Sequence, residues 1–281
     1  MPLPPLDGDA DKNARGQVLV IGGSMRVPGA VLLAGVAALR AGAGKLQVAT
    51  VRDAALPLGL AVPEALVVAL PPTRAGEIAG SRAWPLLEPH ASSADAVLVG
   101  PGMIGGESVA PIVAGLVRIL GADATLVLDS ASIFVLRDDE QMLMTLGGRA
   151  VVTPHAGEMA TLLGIDKRDV EADAPAAAKH AAERFGVVVA LKGAESWIAS
   201  PNGSLLCYKD GSVGLATSGS GDTLAGIVAG LAARGAQATI AAAWAVWAHG
   251  TAGRRLARRL GTVGFLAREL LAELPALVGR E

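Results

Sequence analysis

Gly219-Ser220-Gly221-Asp222 places one carboxylate directly behind a glycine-rich turn, at the head of an apolar run that carries no further charge until Arg234. A helix beginning near Asp222 or Thr223 would offer unpartnered backbone N–H groups and the positive end of its dipole. The stretch therefore reads as a phosphate-sized anion hole. It is not a Walker loop, which needs Gly-Lys-Ser/Thr, so the hole is read as lacking a lysine. As a plain N-cap, Asp222 would contribute about 1 kcal/mol, and taken alone that is the stronger reading. The helix field is expected to lower its pKa and keep it ionised at neutral pH. An ionised carboxylate beside a site for developing negative charge can accept a proton from an attacking hydroxyl. That chemistry is phosphoryl transfer to an alcohol, where positioning and charge stabilisation carry most of the barrier.

Five other polar or glycine-rich segments follow apolar runs in the same way: Gly22 to Ala30, Gly100 to Gly106, Leu128 to Ser132, Thr153 to Glu158, and Leu191 to Ser196. Singly they are weak. His155 suits a hydrogen-bonded structural histidine, Glu158 a carboxylate favoured in a first helical turn, and Lys192-Gly193 a strand end. Jointly they matter more, because ligands of open parallel sheets bind beyond the carboxyl ends of the strands. Six such segments on one edge predict one crevice.

The elements that must carry this edge are legible in outline. Gln17 to Gly23, Lys45 to Val51, Ala65 to Leu70, Ala96 to Gly102, Thr125 to Ser130, Ala150 to His155 and Val187 to Gly193 are continuous apolar runs ending in polar or glycine residues. Continuous rather than alternating runs predict strands buried on both faces, hence a parallel sheet between helical layers. Asn202-Gly203 between Ser196 and Asp210 is a hairpin signal, so part of the sheet is expected to be antiparallel. Residues 1–16, rich in proline and polar groups, are expected to form an N-terminal arm, and 17–281 a single catalytic domain with no linker or internal repeat.

Composition narrows the classes. Of 281 residues, 52% are hydrophobic and 18% charged, which supports a large core rather than disorder. A net charge of -2 provides no basic field for a polyanion, so nucleic acid is not expected as a partner. The longest apolar stretch, Thr223 to Ala248, contains Arg234 and Gln237 and falls short of a bilayer span, so no membrane association is expected. The single cysteine, Cys207, excludes an intrachain disulfide and a Cys-based zinc site, and it fits a reducing cytoplasm.

Taken in order, "GGSMRVPGA", "GPG", "TPHAGE", "LKGAES" and "GLATSGSGDTLAGIVAGLAARG" resemble the ADP-dependent NAD(P)H-hydrate dehydratases of the ribokinase-like superfamily, over nearly the whole chain. The resemblance implies a three-layer αβα fold, mostly parallel, with an antiparallel hairpin and no lid domain. It implies Asp222 as the base, with Gly219, Ser220 and Gly221 as the anion hole. Lys192, Gly193, Ala194, Glu195 and Ser196, with Gly221, would hold the adenine nucleotide. Ala30, Gly102, His155 and Asp222 would contact the hydrated nicotinamide, and Glu158 would help arrange Mg2+. ADP would be the phosphoryl donor, with ATP as the other candidate. A homotetramer and a separate NAD(P)H-hydrate epimerase are implied as assembly and functional partner. At this length no fused second domain of that kind is expected.

Three positions depart from the family's usual residues. Asp129 to Ser132 reads Asp-Ser-Ala-Ser where the family commonly has Asp-Ala-Asp-Ala, so Ala131 replaces an acid; Ile104 stands where glycine is usual, and Ser196 where threonine is typical. Two other readings compete: a ribokinase-like kinase acting on a small alcohol such as a vitamin precursor, and a non-catalytic nucleotide-binding protein. Asp222 argues against the latter.

Overall fold

The computed structural model describes residues 2–4, 11–105 and 109–279, so Gly106 and residues 5–10 of the expected arm lie outside the described residues. Its strands are β1 (Gln17–Ile21), β2 (Lys45–Val51), β3 (Ala65–Leu70), β4 (Ala96–Val99), β5 (Thr125–Leu128), β6 (Ala150–Val152), β7 (Val188–Leu191), β8 (Ser196–Ala199) and β9 (Leu205–Tyr208). They form one sheet in the order β3-β2-β1-β4-β5-β6-β7-β8-β9. Every pairing from β3 through β7 is parallel, while β7–β8 and β8–β9 are antiparallel. The β8–β9 hairpin turns at Asn202-Gly203, as that dipeptide predicts.

The helices are α1 (Gly29–Arg40), α2 (Arg52–Ala61), α3 (Gly80–Ala91), α4 (Ala110–Ile119), α5 (Val135–Asp138), α6 (Ala156–Leu163), α7 (Lys167–Ala172), α8 (Ala174–Phe185), α9 (Ser220–Ala233), α10 (Ala238–Leu260), α11 (Ala267–Leu270) and α12 (Pro275–Val278). The sheet separates two cores. Val18 and Val20 of β1 face one, with the apolar residues of α1, α9 and α10. Leu19 and Ile21 face the other, with those of α3, α4 and α8. Successive strand residues point to opposite faces, so a strand buried on both must be apolar throughout. This is the three-layer αβα architecture, without a lid-sized insertion among the described residues.

The placement of α9 is set by small residues. A Cβ on Gly226 would lie 2.2 Å from the Ala34 carbonyl oxygen of α1, and one on Gly230 2.4 Å from that of Ala38. Both glycines let the two backbones touch. α9 is thereby fixed against α1 and, through the shared core, against β1, β4 and β5.

Candidate active site

The N-cap of α9 is Gly219, in the left-handed conformation at φ 85°, with no side-chain capping bond. A Cβ there would also come within 2.5 Å of Leu33 Cδ1, so glycine is needed for conformation and for space. The helix begins at Ser220, two residues before the expected start, and Asp222 is therefore an internal first-turn residue rather than its cap.

The amides of the turn are only partly free. Ser220 donates its N–H to the Thr217 carbonyl at 3.2 Å. Gly219 and Gly221 have no amide acceptor among the described residues. The two glycines, not the serine, present the open backbone donors at this mouth.

The expected absence of a lysine is corrected by the fold. Lys192, at the carboxyl end of β7, places its Nζ so close to Gly221 that a Cβ there would lie 3.2 Å from it. A cation thus reaches the Gly219–Gly221 turn from a strand end about thirty residues away in sequence, which no local motif search can reveal. Its amine lies 3.0 Å from Asp129 Oδ1 and 4.0 Å from Glu158 Oε2. Burial alone would depress the Lys192 pKa, but the charges of Asp129 and then Glu158 outweigh it and hold the pKa above the ordinary lysine value.

Asp129 itself was not singled out from the sequence. It follows β5, is 1% exposed, and accepts from Thr153 Oγ1 at 2.5 Å and Ser130 Oγ at 3.1 Å. Burial favours its neutral acid, yet the Lys192 charge and the Thr153 bond overcome this and keep it below the usual carboxylate range. The readable signal was an acid ending an otherwise apolar strand. Ser130 has φ 53°, the sole non-glycine residue with positive φ among those described. Strain of this kind persists where surrounding structure over-determines a residue, and here it bends the chain immediately after the buried carboxylate.

Asp222 contradicts the expectation of a lowered pKa. Its pKa is raised from 3.8 to about 6, first by burial and then by the negative charge of Asp129, against the opposing pull of Lys192. Desolvation outweighs the helix field because the carboxyl is largely withdrawn from water. The group remains mostly ionised at pH 7, and a base with a pKa near working pH is better matched to proton transfer than an ordinary aspartate.

His155 caps α6. Its Nδ1 accepts from the Gly157 and Glu158 amides at 3.0 and 3.2 Å, and Glu158 Oε2 accepts from the His155 amide at 2.9 Å. The modest readings of both residues thus describe their local bonds. Because Nδ1 is an acceptor, the neutral ring carries its proton on Nε2, and that N–H belongs to a side chain 59% exposed.

A cavity of about 750 Å³ opens beside this mouth, within the usual range of small-molecule sites. His155, Lys192, Gly193, Ala194, Ser196 and Gly221 line it. Glu195 is not among its lining residues and pairs instead with Lys209 at 3.1 Å. Asp222 and Gly219 also stand outside its wall, as do Ala30 and Gly102. The last two meet each other: a Cβ on Gly102 would lie 2.9 Å from that of Ala30, at the carboxyl ends of β4 and β1. The charged neighbours of Asp222 are Asp129, Lys192 and Glu158. Of the departures, Ile104 turns its side chain outward at 48% exposure while its amide donates to Glu77 Oε2 at 3.3 Å.

No group of three His, Cys, Asp or Glu side chains suited to a metal occurs among the described residues. The site therefore offers no all-protein metal cage.

Fold and site together define a ribokinase-like αβα protein with a ligand crevice at the carboxyl edge of its sheet. A family profile described as NAD(P)H-hydrate dehydratase matches residues 18–276. The chain is 50% identical to the ADP-dependent (S)-NAD(P)H-hydrate dehydratase of Xanthomonas campestris, over 99% of this chain and 93% of that protein. It is 37% identical to the bifunctional NAD(P)H-hydrate repair enzyme Nnr of Moorella thermoacetica, over 97% of this chain but only 51% of that longer protein. A solved structure of the ADP/ATP-dependent NAD(P)H-hydrate dehydratase of Bacillus subtilis, co-crystallised with ATP and Mg2+, superposes with a TM-score of 0.84 at 27% identity, covering 98% and 93% of the two chains. This chain belongs to the NAD(P)H-hydrate dehydratase family.

Proposed function

We infer that this chain dehydrates the S form of NADH or NADPH hydrate at the expense of ADP, restoring the reduced nicotinamide nucleotide and releasing AMP and phosphate. The observation that carries the reading is the carboxylate of Asp222, raised to a pKa of about 6 and set in the first turn of a helix whose mouth is flanked by Lys192. The named relatives favour dehydration over the plain kinase reading.

In this proposal the nucleotide occupies the cavity along Lys192 to Ser196, and its terminal phosphoryl group meets the Gly219 and Gly221 amides and the Lys192 amine. The hydrate's hydroxyl lies on the Asp222 side, near Ala30, Gly102 and the His155 Nε2–H. Asp222 takes the hydroxyl proton as the hydroxyl oxygen bonds to phosphorus and AMP departs. The ring carbon–oxygen bond of the ester then breaks, pushed by the ring nitrogen's electron pair and expelling inorganic phosphate, and the adjacent ring carbon gives its proton to that phosphate as the double bond is restored. Lys192 and the two amides stabilise charge that develops on the phosphoryl oxygens. ADP is the proposed donor, with ATP as the substitute to be compared. Mg2+ would neutralise phosphate charge, with Glu158 the carboxylate proposed to help order it.

A reducing cytoplasm is the proposed compartment. No helix among the described residues is long and apolar enough to cross a membrane. A homotetramer, checked by sedimentation, and functional cooperation with a NAD(P)H-hydrate epimerase complete the proposal. The direct test mixes the protein with NADH hydrate and follows nicotinamide absorbance. Recovery that requires added ADP supports the reading, and a stable phosphate ester without recovery refutes it in favour of the kinase.

A further inference from the structure

One buried titratable group near the α9 mouth has no part in that scheme. His249 of α10 lines the same cavity as Ser220, Gly221 and Lys192, and its Nε2 is 2.9 Å from Ser220 Oγ. α10 can bring it there because Gly250 and Gly253 leave room for its neighbours: a Cβ on Gly250 would lie 2.2 Å from the Tyr208 ring, and one on Gly253 2.6 Å from Leu215. Ser220 is 4% exposed. Its amide is committed to Thr217, so its hydroxyl is the sole donor it can offer a ligand.

We propose that His249 is a positioning residue that acts through Ser220: its Nε2–H donates to Ser220 Oγ and frees the serine hydroxyl to donate to the phosphoryl group transferred at the mouth of α9. The inference rests on the reading of this site as one of ADP-dependent phosphoryl transfer. A hydroxyl whose oxygen already accepts a hydrogen bond is a better donor and is held in one rotamer. The imidazole suits this role because it stays uncharged. Burial pushes its pKa down to about 4, with the Lys192 charge adding to it, against the opposing effect of a hydrogen bond to the Ser220 backbone. It therefore adds no second cation to repel Lys192. Without a ligand, the same pair can reverse, with Ser220 donating to Nε2, so the serine need not be left unpaired.

The test compares His249→Leu, His249→Gln, Ser220→Ala and the Ser220→Ala/His249→Leu double variant in the ADP-dependent recovery assay, with AMP affinity measured alongside. AMP lacks the transferred phosphoryl group, so its binding reports folding and the rest of the pocket. The expected result for His249→Leu is a kcat loss of about tenfold or more, larger than any accompanying change in AMP affinity. His249→Gln, whose amide N–H can donate, should recover most of kcat. The double variant should lose about as much as Ser220→Ala alone, because the two groups act as one unit. Unchanged kcat in His249→Leu, a glutamine variant no better than leucine, or additive losses would each overturn the proposal. If His249→Leu fails to fold, the glutamine and serine variants still decide it. Activity of the unaltered protein is scored separately, so absence of all turnover would refute the functional reading rather than the role of His249.

Discussion

Lys192, after β7, and Asp129, after β5, lie 3.0 Å apart across the end of the intervening β6, and the ammonium of the pair abuts Gly221 at the mouth of α9. The pair joins the Gly219–Gly221 turn to the carboxylate that raises the proton affinity of Asp222. Removing its cation should be costly. Lys192→Met leaves the Asp129 carboxylate buried without its counter-charge, which typically costs about 3–5 kcal/mol. Chemical denaturation should record that loss, and adding Asp129→Asn should recover part of it. Equal stability of the single and double variants would show that the pair is uncoupled.

Asp222 should reduce stability at neutral pH. Its folded pKa of about 6 lies above the ordinary 3.8. Between those values the native state binds the extra proton, so this group's contribution to stability falls as pH rises through the window, with the full cost present above about pH 6. Asp222→Asn should therefore raise the unfolding free energy at pH 7 by up to about 3 kcal/mol, and the gain should vanish near pH 4. A variant less stable than the parent at pH 7 would contradict the assignment.

The same carboxylate sets the acid limb of the rate profile. Activity of the parent should rise with pH through about 6, as Asp222 loses its proton. Asp129→Asn removes a negative neighbour while Lys192 and Glu158 remain, so the limb should move to lower pH. A limb that stays in place would mean that Asp129 does not face Asp222 electrostatically.

The contact between α1 and α9 predicts a purely steric effect. Gly226→Ala would set a methyl group 2.2 Å from the Ala34 carbonyl oxygen. Overpacking of this kind costs roughly 1–3 kcal/mol, and a thermal melt should show a Tm lower by several degrees. An unchanged Tm would show that the helices separate freely.

Much of this was legible beforehand. Continuous apolar runs such as Gln17 to Ile21 announced a doubly covered parallel sheet, and Asn202-Gly203 announced its antiparallel hairpin. Those features are local, governed by burial on two faces and by turn geometry. The chemistry of the crevice was less legible wherever it depended on long-range approach. Lys192 meets Gly221, and His249 meets Ser220, across elements that only the fold brings together. Sequence alone points the Asp222 pKa the wrong way, because the helix dipole is visible in sequence and burial is not. Glu158 and His155 answer to their simplest local pattern, a reciprocal cap, with the exposed His155 Nε2 also 3.7 Å from Glu158 Oε1.

The most direct measurement is ADP-dependent recovery of nicotinamide absorbance from NADH hydrate by Asp222→Asn, in protein whose affinity for AMP matches the parent. The account predicts retained nucleotide binding with a turnover loss of about a thousandfold, within the range general-base removal produces. Turnover close to that of the parent, with AMP bound equally well, would show that another group takes the hydroxyl proton.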